Sequence, residues 1–213
     1  MKLSYVVVFV VILNFFKCEL KLLNQKDIIV KLIGDAGYKG EVHRVRTEDG
    51  YFLKIHRVLS NDHARSQAKP VFIMHGMLAT AADFLVTGSQ IALGFLLADS
   101  GYDVWLGNCR GSQHSMKHEN FSSSSKEFWS FSWHEIGYYD LPAMLDYMLF
   151  ITGATNLFYI GHSQGTTSLL VLLSTRTEYN DKIIEAHLMA PSAFRKKTPR
   201  LRTILYTLEF LVS

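Results

Sequence analysis

The chain has 213 residues, of which 48% are hydrophobic and 19% charged, with 22 Lys and Arg against 19 Asp and Glu. That length holds one domain of moderate size. The apolar content excludes a disordered tail, and the near balance of charge implies no nucleic-acid partner.

The N-terminus is read apart from the domain. Met1 to Cys18, MKLSYVVVFVVILNFFKC, places a lysine at position 2 before an apolar run from Tyr5 to Leu13, then a short polar break. This is the layout of a secretory signal peptide, and the run is shorter than the ~20 residues a membrane-spanning helix needs. Cleavage after Cys18 is the expected boundary, although Phe16 fits poorly where a small residue is preferred; an uncleaved anchor is the alternative. Removing Lys2 and Lys17 leaves 20 basic against 19 acidic residues and Cys109 as the single cysteine. There is then no disulfide framework and no metal-type cysteine spacing, and Cys109 reads as a buried small hydrophobe rather than a reactive thiol. No metal or other cofactor is implied. Asn120-Phe121-Ser122 is the one N-x-S/T acceptor and is expected to be glycosylated in a secreted chain.

After Glu19 a helix-like stretch runs to Ile33, where Gly34 and Gly37 break it. Glu41 to Val58 alternates polar and apolar residues around Glu48-Asp49-Gly50, which predicts a β-hairpin with a D-G turn. Asn61 to Pro70 reads as a polar loop. Val71 to Gly76, VFIMHG, is a short apolar run of the kind found in buried parallel strands. Ala81 to Ser100 is predicted helical, and the next strand starts at Tyr102. Gly107 to Lys126, with serines at 122 to 125, reads as a long loop. Glu127 to Phe150 is predicted helical, Asn156 to Ser163 a strand and turn, Gln164 to Thr175 a helix, and Ile183 onward a strand. Strands alternating with helices of roughly 10 to 20 residues predict an α/β fold on a mostly parallel sheet.

Ligands of such sheets sit beyond the carboxyl ends of the strands. Those ends are Gly76-Met77, Asn108 to Arg110, Ser163 and Pro191-Ser192. Ser163 is the centre of Gly161-His162-Ser163-Gln164-Gly165, a G-x-S-x-G pentapeptide. The pattern is weak alone and gains meaning from the apolar strand LFYI before it and the helix TTSLLVLLS after it, which put the serine on a strained, exposed turn. The helix N-terminus directs its dipole at the same point. Two backbone N–H groups are needed to hold a developing oxyanion: Gln164, which follows the nucleophile, and Met77, in the loop HGMLAT after the strand.

Five segments in order, VRTEDGYFLKIHRV, HGMLATAADF, LADSGYDVWLGNCRGSQHSMKH, FWSFSWHEIGYYDLPAMLDY and YIGHSQGTT, resemble the acid lipase family of α/β-hydrolases, which includes gastric and lysosomal lipases and insect relatives. The resemblance covers about Asp27 to Pro191. It implies that Ser163 is the nucleophile, that the Met77 and Gln164 amides form the oxyanion hole, and that the substrates are neutral lipid esters, triacylglycerols or cholesteryl esters, met at a lipid–water interface. Met77 stands where gastric-type members have leucine, a harmless change because only the backbone N–H acts there.

In this fold the triad runs Ser, then Asp or Glu, then His. The histidine after Ser163 is His187, three residues from the end of its strand, which at ~3.3 Å per residue sits about 10 Å below the catalytic edge. A general base must reach within about 2.6 to 3.2 Å of the serine oxygen. The triad Asp and His are therefore expected outside this chain, as the family pattern also implies. His162 is expected to pack under the elbow and His134 to make a polar contact to a loop; Trp105, Trp129 and Trp133 are expected in the core. Residues 192 to 213, with five basic residues from Arg195 to Arg202 before an apolar run, resemble the start of the family's cap, with a basic membrane-touching segment as the alternative. The expected organisation is a signal peptide at 1 to 18, the N-terminal part of an α/β-hydrolase core at 19 to 191, and a truncated cap at 192 to 213, lacking the last strands. The expected product is secreted, or alternatively lysosomal. The functional readings are a serine ester hydrolase, a lipid-binding protein without catalysis, and a non-functional fragment.

Overall fold

The computed structural model describes residues 27–59 and 68–193. The expected signal peptide, most of the polar loop before Pro70 and the basic tail lie outside the described residues.

The sheet contains β1 (Lys39–Arg46), β2 (Tyr51–Leu59), β3 (Pro70–Met74), β4 (Asp103–Gly107), the two-residue β5 (Lys117–His118), β6 (Leu157–His162) and β7 (Ile183–Met189). Its order is β1-β2-β4-β3-β6-β7, with β5 attached to β2. The β1–β2 hairpin is antiparallel and turns through Gly50 at φ +96°, the left-handed value that makes glycine the natural residue there. β2 also runs antiparallel to β4, while β4, β3, β6 and β7 are mutually parallel. Parallel neighbours need crossover connections. These carry α2 (Leu93–Asp99), α3 (Leu141–Thr152) and α4 (Gln164–Thr175), and α1 (Ile28–Asp35) precedes β1.

Helices cover both faces, so the central strands are buried on both sides, as their unbroken apolar runs require. On one face Phe72, Met74, Trp105, Leu157 and Tyr159 pack against Met144, Leu145, Met148, Leu169 and Leu172 of α3 and α4. On the other, Val71, Ile73, Val104, Leu106 and Ile160 pack against Ile29 and Ile33 of α1 and Phe95 and Ala98 of α2. Adjacent residues of one strand divide between the two cores because side chains alternate across the pleat.

Several predicted elements are corrected. Ala81 to Ser100 is not one helix: a 3-10 turn at Ala81–Phe84 is separated from α2 by a reversal through Gly88 at φ +90°. Glu127 to Phe150 is likewise broken. A 3-10 turn at Glu127–Trp129 stops, and Ser132 starts a new helix by accepting from the His134 N–H at 3.1 Å while Glu135 accepts from the Ser132 N–H at 2.7 Å. That α-turn, Trp133–Glu135, widens into a π-turn, Ile136–Asp140, before α3. The π-turn lies against α4 at Gly137, where a Cβ would come 2.5 Å from the Ser168 carbonyl oxygen and 2.6 Å from the Val171 Cβ. The long loop after β4 contains β5, a strand too short to show a period, and Pro70 belongs to β3 rather than to the preceding loop.

Two polar clusters tie these layers together. Asp27 caps α1 by accepting from the Ile29 N–H at 3.2 Å, and it also accepts from His56 Nε2 at 3.0 Å and Lys54 Nζ at 2.8 Å. Burial raises the Asp27 carboxyl, but the bonds from His56 and Lys54 outweigh it and hold the group well below the usual carboxylate range. The His114 ring meets His56 edge-on at 5.5 Å, and burial lowers its pKa to about 4. The second cluster centres on buried Arg110. Its Nε donates to Asp140 at 2.8 Å, one terminal nitrogen donates to Asp49 at 2.8 Å, and the guanidinium lies 4.0 Å from the Tyr51 ring centroid. Burial pushes the Asp140 carboxyl up to about 6, so it remains ionised opposite Arg110 at neutral pH.

Two outcomes are expected in unfolding experiments. Gly137→Ala overpacks the π-turn against α4 and lowers stability by about 1–3 kcal/mol. Gly34→Ala, in a helix with nothing within 4 Å of the new methyl, raises it by roughly 0.5–1 kcal/mol; urea midpoints check both signs. For pH, His114 is lowered in the folded chain, so on acidification the unfolded state takes up its proton first, and its contribution is lost as pH falls from 6.5 towards 4. His114→Phe is therefore expected to show a shallower fall in thermal midpoint than the parent between pH 7 and pH 4.5, measured by circular dichroism.

Candidate active site

The site is built where β6 turns into α4. Ser163 has φ +50° and ψ −110°, a backbone conformation that costs a non-glycine residue on the order of 1–3 kcal/mol and persists only where the surroundings impose it. They do so by contact on both sides. The Ser163 N–H donates to the Met189 carbonyl at the end of β7 at 2.9 Å. Its carbonyl accepts from the Thr166 N–H at 3.0 Å and from the Thr166 hydroxyl at 2.6 Å.

The glycines of the pentapeptide explain themselves sterically. A Cβ on Gly161 would lie 2.9 Å from the Gly165 carbonyl carbon and the Thr166 nitrogen, and one on Gly165 would lie 2.5 Å from the Met74 carbonyl oxygen. Either side chain would push α4 away from the ends of β6 and β3. The Tyr159 hydroxyl, from the buried face of β6, donates to the Gly165 carbonyl at 2.8 Å and fixes the first turn of α4 from beneath.

Beside the elbow runs the loop after β3. A Cβ on Gly76 would be 3.2 Å from Ser163 Cβ and 3.1 Å from His162 Nδ1, so this backbone passes against the serine. Among the described residues neither the Met77 N–H nor the Gln164 N–H has an acceptor. Ser163, Gln164 and the Gly76–Met77 stretch therefore stand together at the carboxyl edge of the sheet. Leu78, next in the loop, has φ +61° and is 98% exposed, and Met77 is exposed beside it.

The loop is held at both ends by the end of β4. His75, buried at its start, has Nδ1 2.7 Å from the Gly76 carbonyl, and its Nε2 accepts from the Cys109 N–H at 3.2 Å. Burial lowers the His75 pKa and keeps the ring neutral. At the other end Asn108 Oδ1 accepts from the Ala81 N–H at 3.1 Å, while its Nδ2 donates to the Lys54 carbonyl and lies 3.1 Å from His56 Nδ1. Cys109 is buried and its thiol is pushed far up by burial, consistent with a packing role.

Those bonds also decide what Asp27, His56 and His114 do. Their donor atoms lie within 4.8 Å of one another, close enough to consider a cation. The Asn108 orientation is set by the backbone groups it satisfies, so His56 Nδ1 is an acceptor and Nε2 carries the proton that Asp27 receives. A nitrogen that donates has no lone pair for a metal, and Lys54 occupies the other Asp27 oxygen. The cluster is a hydrogen-bonded brace.

The remaining expected residues fall elsewhere. Asn120 is exposed in the bend after β5, with its Nδ2 3.4 Å from Glu119. His187 pairs in register with Ile160, below the His162–Met189 rung, and its exposed ring faces Glu185 at 3.4 Å. No imidazole hydrogen-bonds the Ser163 hydroxyl among the described residues. His162 does not pack under the elbow; it is exposed at the end of β6, next to Gly76. His134 is exposed and stacks on Tyr138 at 5.7 Å rather than reaching a loop. Trp105 is buried, but Trp129 and Trp133 are about half exposed, because the break at Ser132 turns both onto the surface. Sequence reasoning missed Thr166 and Thr167. The Thr167 hydroxyl donates to the Ser192 carbonyl at 2.9 Å, and the Ser192 N–H donates to Thr166 Oγ1 at 3.2 Å, binding the chain after β7 to the elbow. Two hydroxyls in the first turn of a helix were the available signal.

Comparison with known proteins agrees with this geometry. A family model described as the alpha/beta hydrolase fold matches residues 69–207, and one described as a partial alpha/beta-hydrolase lipase region matches residues 29–88. Lipase 1 of Drosophila melanogaster is 48% identical over 178 residues, 82% of this chain and 39% of that protein. The gastric triacylglycerol lipase of Bos taurus is 42% identical over 176 residues, 81% of this chain and 44% of that protein. The chain thus spans less than half the length of these relatives. Among solved structures, a hypothetical protein of Pseudomonas aeruginosa shares the fold at a TM-score of 0.51 and 17% identity, covering 81% of this chain and 51% of that one. An esterase of Pyrococcus furiosus does so at 0.50 and 18%, covering 72% and 52%. The strand order, the glycine-flanked serine between β6 and α4, and the two family models converge, and the chain belongs to the acid lipase family of the α/β-hydrolase superfamily.

Proposed function

We propose that this chain supplies the nucleophile and oxyanion hole of a secreted serine ester hydrolase acting on neutral lipid esters such as triacylglycerols. The observation that carries the reading is the strained Ser163 backbone with the free Met77 and Gln164 amides on either side of it. The printed names of the relatives, Lipase 1 and gastric triacylglycerol lipase, support lipid esters as the substrate class.

In this reading the Ser163 oxygen attacks the ester carbonyl as a base takes its proton, and the carbonyl oxygen, now negative, is held by the two amides. Collapse expels the alcohol, which receives the proton, and leaves an acyl-Ser163 ester; water then repeats the sequence and releases the fatty acid. The base is not His187, whose strand position and Glu185 contact keep it from the serine. Base and acid are assigned to groups outside the described residues, and the sequence of residues 192 to 213 resembles the start of the family's cap. Residues 1 to 18 direct secretion, and no helix among the described residues is long and apolar enough to cross a membrane.

The purified 213-residue chain is expected to show no sustained hydrolysis of a triacylglycerol emulsion. Robust release of fatty acid that disappears in Ser163→Ala would overturn the assignment of base and acid to other sequence. In the full natural polypeptide carrying these residues, a fluorophosphonate probe is expected to label Ser163; absence of labelling with fatty-acid binding retained would instead make the protein a lipid carrier. Expression in a secretory cell tests the compartment: the product should appear in the medium with a mass that N-glycosidase reduces, and Asn120→Gln should abolish that reduction. An intracellular, unglycosylated product would count against secretion.

A further inference from the structure

We propose that His75 is a positioning residue for the oxyanion hole, and that it acts through the Gly76–Met77 peptide. The inference rests on the hydrolase reading of Ser163. A peptide unit is planar and trans, so its C=O and N–H point in opposite directions and fixing one fixes the other. The Gly76 carbonyl and the Met77 N–H belong to one such unit. His75 Nδ1 lies 2.7 Å from that carbonyl, within the range of a strong bond. A carbonyl can only accept, so the proton sits on Nδ1. The opposite ring nitrogen accepts from the Cys109 N–H at 3.2 Å, which demands a lone pair on Nε2. Both contacts select one neutral tautomer, and the ring is 3% exposed, so water cannot replace either partner.

The consequence is directional. With the Gly76 carbonyl drawn to the imidazole, the Met77 N–H is turned away from it, and the same backbone passes 3.2 Å from Ser163 Cβ, measured from a Cβ position on Gly76. Met77 and Leu78 are exposed, and the Gly76 carbonyl also accepts from the Ala79 N–H at 3.4 Å, a longer contact across the same turn than the 2.7 Å one to the imidazole. Beyond them Asn108 anchors Ala81, so two consecutive residues at the end of β4, Asn108 and Cys109, hold the loop at both ends.

The test uses two amide replacements in the full natural polypeptide. An Asn amide falls near the position of Nδ1 and can still donate to the Gly76 carbonyl; a Gln amide falls near Nε2 and cannot. With 4-nitrophenyl butyrate as probe, His75→Gln should lower kcat roughly 10- to 100-fold while KM stays near that of the parent, loss of a whole oxyanion donor being worth about 10² to 10³. His75→Asn should recover most of that loss. Equal kcat in the two variants, or a loss confined to KM, would overturn the proposal. A ring-nitrogen NMR correlation on the parent gives an independent reading: the proton is expected on Nδ1 with Nε2 bare, and a proton on Nε2 overturns the inference whether or not the protein hydrolyses esters. A parent that shows the expected tautomer but is neither labelled by fluorophosphonate nor active on the ester fails the hydrolase reading and, with it, the role in catalysis; an active parent with the wrong tautomer fails this inference alone.

Discussion

The serine turn depends on one close approach, that of the first turn of α4 to the ends of β3 and β6. Where Gly165 passes Met74 there is no room for a methyl group, a Cβ being 2.5 Å from a carbonyl oxygen. Protein interiors do not stretch to admit such an atom; the backbone must move. The same approach forces the chain through the positive φ of Ser163, brings Gln164 to the free end of the helix, and sets Gly76 against the serine. The strain at Ser163 is thus sustained by packing and hydrogen bonds around it, from Met189, Thr166 and Tyr159.

A second layer of constraint is polar and runs behind the first. Asp27, His56 and Asn108 form a chain of bonds from the cap of α1, through β2, to the Ala81 amide at the far end of the oxyanion loop. Each member has its partners satisfied, which is the condition under which a buried network rigidifies rather than destabilises. Arg110 does the corresponding work on the other side, joining the hairpin turn at Asp49 to the π-turn at Asp140. Removing Arg110 would leave Asp140 as an unpaired charge in a dry site, the costly half of breaking a buried ion pair.

The parts legible in the sequence were those governed by local periodicity. α4 runs over Gln164–Thr175 as read, because an apolar strand, a G-x-S-x-G turn and a long apolar helix leave one arrangement. The position of Ser163 on the turn between β6 and α4 follows from the same logic. What was not legible depended on tertiary contact. Nothing local announces that Gly88 reverses the chain between Ala81 and Ser100, or that Gly137 admits a π-turn because α4 lies against it. Trp129 and Trp133 were assigned to the core on residue type, and the helix break at Ser132 puts them half in solvent. His75 looked like the end of a strand; its role follows from Cys109, 34 positions away, whose amide selects its tautomer.

The construction of the serine turn is separable from the delivery of any base. Among the described residues, the contacts that shape the elbow come from β3, β4, β6, α4, β7 and the residues just after β7, all within positions 70 to 192. The serine conformation, the free amides and the peptide orientation are therefore set before any general base is considered. Electrostatic stabilisation by preorganised donors is commonly the largest single term in acyl transfer, and removing the base still leaves a residual effect from the donors alone. Under the proposed reading, an elbow of this kind would keep its two free amides whether or not a base stands at the serine. The geometry at Ser163 is thus fixed by packing and backbone bonds, not by a contact to an imidazole among the described residues.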